Sequence, residues 1–285
     1  MNDDKLVAFI LTHGRPDKVF TLRTLRKHGF TGRIILVLDD EDKTVPEYKK
    51  NFKEEIEIFS KTEIAKTFDE GDNFQNRKTI VYARNACFEI AQKLGIKYFI
   101  QLDDDYVNFS YRHNEKHEYV DKVNLKTLDS IFESLLNFYK SIPATSIAIT
   151  QNGDFIGGKN GTIGKKLKLK RKAMNTFICS TERPFTFIGR INEDVNTYTK
   201  KASVGMLFLT VPNLSVSQKQ TQSNSGGMTE TYLQQGTYVK SFYSVIFMPS
   251  SVTIKPMGPV NPRLHHSVKW SNTVPCILSE TLKKK

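Results

Sequence analysis

The chain has 285 residues, 39% of them hydrophobic, which is long enough to bury a full core and fits a single α/β domain with an elaborated C-terminal half as well as it fits two domains. Lys and Arg number 42 against 30 Asp and Glu, a formal charge of +12 that favours a polyanionic partner: nucleic acid, nucleotide phosphates or an anionic membrane surface. Cys87, Cys179 and Cys276 are odd in number, widely spaced and without a CxxC, which excludes a disulfide framework or zinc ribbon and fits a reducing, cytoplasmic setting.

The opening MNDDKLVAFILTHGRPDK is acidic where a signal peptide would be basic, and its apolar run is too short for a secretory segment or a membrane span. The chain therefore reads as soluble, with no membrane partner. Continuous apolar runs predict buried parallel strands at residues 5–12 (KLVAFILT), 33–39 (RIILVLD) and 97–102 (KYFIQL). Helical patterns lie between them, at residues 16–28 and at 77–94, where Ile80, Ala83, Ala86, Cys87, Ile90 and Leu94 share a face before Gly95. A further helix at 124–140 and a strand at 146–150 (SIAIT) continue the βαβ grammar of a mostly parallel sheet flanked by helices.

Beyond residue 150 the composition shifts to Gly, Lys, Ser, Thr and Asn. A glycine-rich loop leads into KKLKLKRK at 165–172, then strand-like stretches at 176–179 and 206–211. A polar loop at 215–227 precedes a helix expected from 229 to about 235.

The strongest chemical signal is Asp103-Asp104-Asp105 directly after the strand KYFIQL. Ligands of open α/β sheets sit outside the carboxyl ends of strands, so these carboxylates are placed to hold something cationic. Period-two geometry sends Asp103 and Asp105 to one side and Asp104 to the other, and a carboxylate pair suits hard ions such as Mn2+ or Mg2+ bridging to phosphate. An acidic run in isolation is more often a solvated turn; the end of a buried strand favours the metal reading.

The order of Thr12-His13-Gly14-Arg15 after the first strand, Asp39-Asp40 after the second, Arg84-Asn85 on a helix and then the DxD resembles the GT-A glycosyltransferase superfamily over about the first 110 residues. The resemblance implies that Thr12, His13, Gly14 and Arg15 line a nucleotide pocket, that Asp39 or Asp40 contacts the base or ribose, and that Arg84 approaches the diphosphate. It also implies that Asp103 and Asp105 hold the metal and the ribose. Glu193-Asp194 in FIGRINEDVNTY, about ninety residues downstream, matches the "ED" segment that supplies a general base in such enzymes. Asp194 is the favoured base and Glu193 the next. The same pair is also what an ordinary acidic first turn of a helix looks like. Several GT-A enzymes close their metal site with a late histidine, which singles out His265 of His265-His266 as a third ligand.

In KKLKLKRK an extended chain would align Lys166, Lys168, Lys170 and Lys172 on one face, every roughly 6.6 Å, as a phosphate rail. A lysine-protected edge strand explains the pattern equally well. From residue 187 onward, through TQSNSGGMTETYLQQGTYVKSFYSVIFMPSSVTIKPMG, the chain resembles the phage-associated TET-associated glycosyltransferases. That resemblance implies transfer of a sugar from a nucleoside diphosphate donor, UDP-sugar favoured, to hydroxymethylpyrimidine in DNA, in the host cytoplasm. A transferase acting on protein or small-molecule hydroxyls, and a non-catalytic nucleic-acid binder with a degenerate transferase fold, are the alternatives. Such a binder would not need Asp103, Asp105 and Asp194 together.

Overall fold

The computed structural model of the protein describes residues 5–72, 77–219, 239–257, 262–273 and 280–283. The run LVAFIL forms β1 (Leu6–Leu11), buried along its whole length. Its side chains are apolar on both faces of the pleat, with Ala8 and Ile10 in one core and Val7, Phe9 and Leu11 in the other. IILVLD repeats the pattern in β2 (Ile34–Asp39). With β3 (Glu55–Phe59) and β4 (Tyr98–Asp103) these strands make a parallel block, and Leu11 of β1 lies level with Val37 and Asp103. Leu25 of α1 (Phe20–Lys27) and Ile131, Phe132, Leu135 and Leu136 of α5 (Leu128–Ser141) cover one face. Val81, Tyr82, Ala86, Cys87 and Ile90 of α4 (Val81–Lys93) cover the other. The short helices α2 (Val45–Asn51) and α3 (Lys61–Ala65) flank β3.

The sheet continues into the second half of the chain through β5 (Tyr106–His113), β6 (Tyr119–Asn124), β7 (Ser146–Gln151), β8 (Phe177–Ser180) and β9 (Phe208–Gln218). The order is β3-β2-β1-β4-β8-β7-β9-β5-β6, in which β8 and β5 run against the other strands. The carboxyl ends of β1, β2, β4, β7 and β9 and the amino end of β8 therefore share one edge, the edge where such sheets bind ligands. Helix α6 (Glu193–Ser203) starts beside that edge, and α7 (Val239–Phe247) packs against α6 and the antiparallel ribbon of β10 (Val252–Met257) and β11 (Arg263–Val268). Trp270 of α8 (Trp270–Thr273) stacks on Tyr198 of α6 at 5.6 Å.

The strands expected at 5–12, 33–39, 97–102, 146–150 and 176–179 occur at those places with small changes of boundary. The strand expected at 206–211 extends to Gln218 and takes residues 215–218 from the expected polar loop; the rest of that loop from 220, and the helix expected at 229–235, lie outside the described residues. The helix expected from Pro16 starts only at Phe20, because residues 12–19 form a separate loop in which Gly14 has a left-handed φ of 66° and the Lys18 amide bonds the Arg15 carbonyl.

Gly29 and Gly95 each follow a helix with positive φ, 83° and 65°, but in different surroundings. A Cβ on Gly29 would lie 2.7 Å from the Lys126 carbonyl oxygen ahead of α5, whereas one on Gly95 would meet nothing within 4 Å. Gly95→Ala should cost only the left-handed strain, about 1–2 kcal/mol. Gly29→Ala should cost clearly more by urea denaturation, and equal losses would show that the two helices are not locked together at this carbonyl.

Candidate active site

The acidic turn after β4 is held by the backbone and hydroxyls of α1. Thr21 donates its amide to the Asp104 carbonyl at 3.1 Å and its hydroxyl to the Asp103 carbonyl, and the Tyr106 amide donates back to the same hydroxyl at 2.9 Å. Thr24 donates to the Tyr106 carbonyl at 2.9 Å. Neither threonine stands out in the sequence; the signal available was a pair of hydroxyls three residues apart at the start of a helix next to an acidic turn.

With its backbone fixed, the turn sends its carboxylates in different directions. Asp104 faces the first βα loop, accepting a 2.7 Å hydrogen bond from Thr12 and lying 3.5 Å from the Arg15 guanidinium. Asp103 accepts from Arg84 Nη2 at 2.9 Å. Asp105 Oδ1 is buried with no partner among the described residues.

Arg84, 1% exposed, is clamped between two carboxylates: its Nη2 holds Asp103 and its Nε holds Glu193 Oε1 at 3.0 Å. The guanidinium packs 4.9 Å from the Phe177 ring centre, and Nη1 donates to the Asn175 carbonyl at 3.4 Å. Next to it, Asn85 exchanges hydrogen bonds with the backbone of Phe187, at 2.8 and 3.1 Å. The "RN" pair thus fastens the "FIGRINED" segment to the DxD strand. Arg84 serves here as a bridge between carboxylates.

Asn192 takes a left-handed φ of 53° immediately before α6 and donates to Ser244 Oγ and the Lys240 carbonyl of α7. Glu193 and Asp194 then open the helix. Glu193 is committed to Arg84, whereas Asp194 is buried and, among the described residues, receives only the Val195 amide at 2.7 Å. Burial, with Glu193 alongside, holds the Asp194 carboxyl well above the usual carboxylate range, opposed by Arg84 and Lys172. Burial pushes Asp103 up to about 6 despite Arg84, and burial with the charges of Asp103 and Asp104 pushes Asp105 up to about 7.

In the first βα loop, Thr12, His13, Gly14 and Arg15 come together with the end of β2, but the contacts are internal. His13 Nδ1 bonds Asp39 at 2.7 Å, and Lys61 Nζ, itself buried, reaches the other Asp39 oxygen at 2.8 Å. These partners outweigh burial and hold the Asp39 carboxyl below its ordinary value, while the Asp39 bond raises His13. Asp39 has both oxygens engaged; Asp40 is exposed and accepts the Lys61 amide at 3.0 Å. Asp42, Tyr48 and Lys61 belong to this cluster and carry no motif: Asp42 accepts the Gly14 amide at 2.8 Å, and the Tyr48 hydroxyl joins Thr12 at 2.8 Å and the Arg15 amide at 2.9 Å.

Two groups of expected residues are placed differently. His265, in β11, bonds the His266 carbonyl, and among the described residues no three His, Cys, Asp or Glu side chains form a metal-holding group, so His265 does not join Asp103 and Asp105. Residues 165–172 do not form the extended row. One bridge, Lys170 to Thr210, is their only ladder contact among the described residues, and Lys172 turns inward to pair with Asp154. Lys166 and Lys168 remain exposed, and Lys170 is half-buried. The row breaks because Thr210 Oγ1 caps the Lys172 carbonyl and Asp154 captures its ammonium.

The donor set fits a hard divalent ion. Asp105 offers a buried oxygen with no partner among the described residues and Asp103 its second oxygen, and burial, with neighbouring carboxylates adding to it, raises both carboxyls. Magnesium-type sites commonly use one or two carboxylates, water and substrate phosphates, so two protein ligands suffice.

A family model described as TET-Associated Glycosyltransferase matches residues 7–227, which include the acidic turn, Arg84 and the Glu193-Asp194 pair. The chain belongs to this family. No curated protein matches it. Among solved structures, this glycosyltransferase is similar to GalNAc-T7 with UDP, GalNAc and Mn2+, at 13% identity and TM-score 0.43, over 77% of this chain and 44% of that one. It is also similar to glucosyl-3-phosphoglycerate synthase from Mycobacterium tuberculosis in complex with Mn2+, UDP and phosphoglyceric acid, at 8% identity and TM-score 0.45, over 93% and 87% of the two chains. The TET-associated glycosyltransferase has the expected α/β fold, a large sheet flanked by helices, and no helix among its described residues is long and apolar enough to cross a membrane.

The raised Asp105 carboxyl gives a pH test. Folding lifts it from 3.8 to about 7, so between those values the folded chain holds a proton that the unfolded chain has lost, and stability falls as pH rises through about 7. Without metal, Asp105→Asn should melt above wild type at pH 8, with the gap closing toward pH 5. Mn2+ should raise the wild-type midpoint at pH 8 and leave the variant's unmoved. Thermal melts followed by circular dichroism decide it.

Proposed function

We propose that the protein transfers a sugar from a nucleoside diphosphate donor, UDP-sugar favoured, to a hydroxyl acceptor with the help of Mn2+ or Mg2+. Hydroxymethylpyrimidine in phage DNA is the favoured acceptor. The observation that carries this reading is the Arg84 bridge, which joins the carboxylates suited to a metal and diphosphate to the pair suited to an acceptor's proton. In this reading all 285 residues act as one unit in the cytoplasm, residues 1–110 serving the donor and 111–285 the acceptor.

Asp105 and the free oxygen of Asp103 would hold the ion. When bound, it supplies charge neutralisation for the departing diphosphate. The acceptor oxygen forms a bond to the sugar's anomeric carbon as the bond from that carbon to the diphosphate oxygen breaks, leaving its electron pair on the diphosphate. The hydroxyl proton passes to Asp194, which burial has made a better proton acceptor than an ordinary aspartate. Glu193, held by Arg84, fixes the start of α6 and keeps Asp194 in position. Exposed Lys166 and Lys168 and the formal charge of +12 support a polyanionic acceptor; Lys172, beside Asp154 and within electrostatic reach of Asp194, belongs to the floor of the site.

The test is nucleoside mass spectrometry of hydroxymethylpyrimidine-containing DNA incubated with the protein, Mn2+ and a panel of UDP-sugars. A mass shift by one sugar is expected. Asp105→Asn should abolish both transfer and donor hydrolysis while retaining the fold. Asp194→Asn should still bind donor and metal yet turn over at least about 100-fold more slowly. An active Asp194→Asn beside a dead Glu193→Gln would move the base to Glu193, and unmodified DNA with sugar on another hydroxyl acceptor would remove the DNA assignment.

A further inference from the structure

One cation beside the acidic turn has no role in the chemistry above. Strand β9 ends at Gln218, and the next residue, Lys219, donates its backbone amide to the Asp105 carbonyl at 3.2 Å. Its ammonium forms no ion pair with any carboxylate among the described residues, although Asp103, Asp104 and Asp105 all belong to the turn its backbone is bonded to. It lies instead 3.6 Å from the ring centre of Phe20, the first residue of α1. A cation on a π-face is held by the ring's quadrupole and keeps its charge uncompensated. The other cations here are committed, Arg84 to Asp103 and Glu193, and Arg15 beside Asp104.

We propose that Lys219 is a diphosphate-binding residue, its ammonium leaving the Phe20 ring for the second phosphate of the donor. This rests on the nucleotide-sugar reading of the same site. Three features argue for it. The amide bond to Asp105 fixes the root of the side chain at the turn that would hold the metal. The ring of Phe20 holds the ammonium without neutralising it. A diphosphate needs more positive charge than one divalent ion bound by two carboxylates provides. When the bond from the anomeric carbon to the diphosphate oxygen breaks, the electron pair stays on that oxygen, and Lys219 would stabilise the added charge without giving up a proton. It is a substrate-contacting cation of the kind that sets donor affinity and leaving-group departure together.

The experiment is calorimetric titration of UDP and of UMP, each with Mn2+, into wild type, Lys219→Met, Lys219→Arg and Asp105→Asn, with melts to confirm folding. Loss of one charge-assisted contact predicts that Lys219→Met weakens UDP by about 10–100-fold and UMP by less than about twofold. Lys219→Arg should recover most of the UDP affinity. Equal loss for the two nucleotides, or no loss for either, overturns the assignment. Asp105→Asn separates the two levels: if it too leaves UDP affinity unchanged, or wild type binds neither nucleotide, the metal-diphosphate reading fails and takes this inference with it. If Asp105→Asn loses UDP while Lys219→Met does not, Lys219 alone is refuted.

Discussion

The structure of the site depends on one buried guanidinium. Arg84 is almost wholly enclosed, and a charge in that position is tolerable only if it is paired on more than one side. Asp103 and Glu193 meet that requirement, the Asn175 carbonyl takes a third donor, and Phe177 covers the face of the group. These partners come from the end of β4, the start of α6 and the entrance to β8. An arginine there fixes three separate parts of the chain in one geometry, and a lysine, with a single nitrogen, could not span both carboxylates as Nε and Nη2 do.

Because Glu193 and one oxygen of Asp103 neutralise Arg84, Asp105, Asp194 and the second oxygen of Asp103 remain for other partners. Among the described residues Asp105 keeps a buried oxygen without a partner, and Asp194 keeps a carboxylate bonded by its own helix's first turn. Glu193 is held by Arg84, while Asp194 beside it, like Asp103 and Asp105 on the turn, sits in surroundings that raise its proton affinity. The turn's backbone is anchored from two sides: α1 holds the carbonyls of Asp103 and Asp104 through Thr21, and Lys219, just after β9, holds that of Asp105.

Much of this was legible from residue patterns. Buried parallel strands announce themselves by unbroken apolar runs, and β1, β2 and β4 are of that kind. The DxD, the "RN" helix and the "ED" segment were legible because each combines a charged pair with a definite place in a βαβ order. What was hidden is instructive. The hairpin of β5 and β6 has a register shift between Tyr111 and His113, which breaks the alternation that would mark a strand, and α2 and α3 are too short to show a helical period. The partners of the motifs were hidden as well. Nothing in the order of residues says that Lys61 will close on Asp39, or that Arg84 will be shared with Glu193 across 109 positions.

The lysine row shows how such a reading goes astray and what replaces it. Alternation in KKLKLKRK fits a strand with charges on one face, but a strand forms only where a neighbouring edge accepts it, and here β9 offers a single bridge at Thr210. Freed from a ladder, Lys172 can turn toward Asp154, which sits in the short helical turn after β7 and bonds the Gln151 amide. Asn175 and Gln218 pair across the same region at 2.8 Å, and Asn152 reaches Ser217 at 2.9 Å. The edge of the sheet therefore changes character along its length: carboxylates and cations at β1, β2 and β4, where a charged donor would be held, and at β7, β8 and β9 amides and a hydroxyl beside the Lys172–Asp154 pair and Arg112. Amides and hydroxyls discriminate by hydrogen-bond pattern more than by charge. Positive charge on the outer surface attracts polyanions over a distance, whereas the amides at β7, β8 and β9 act only at contact, through the direction of their hydrogen bonds.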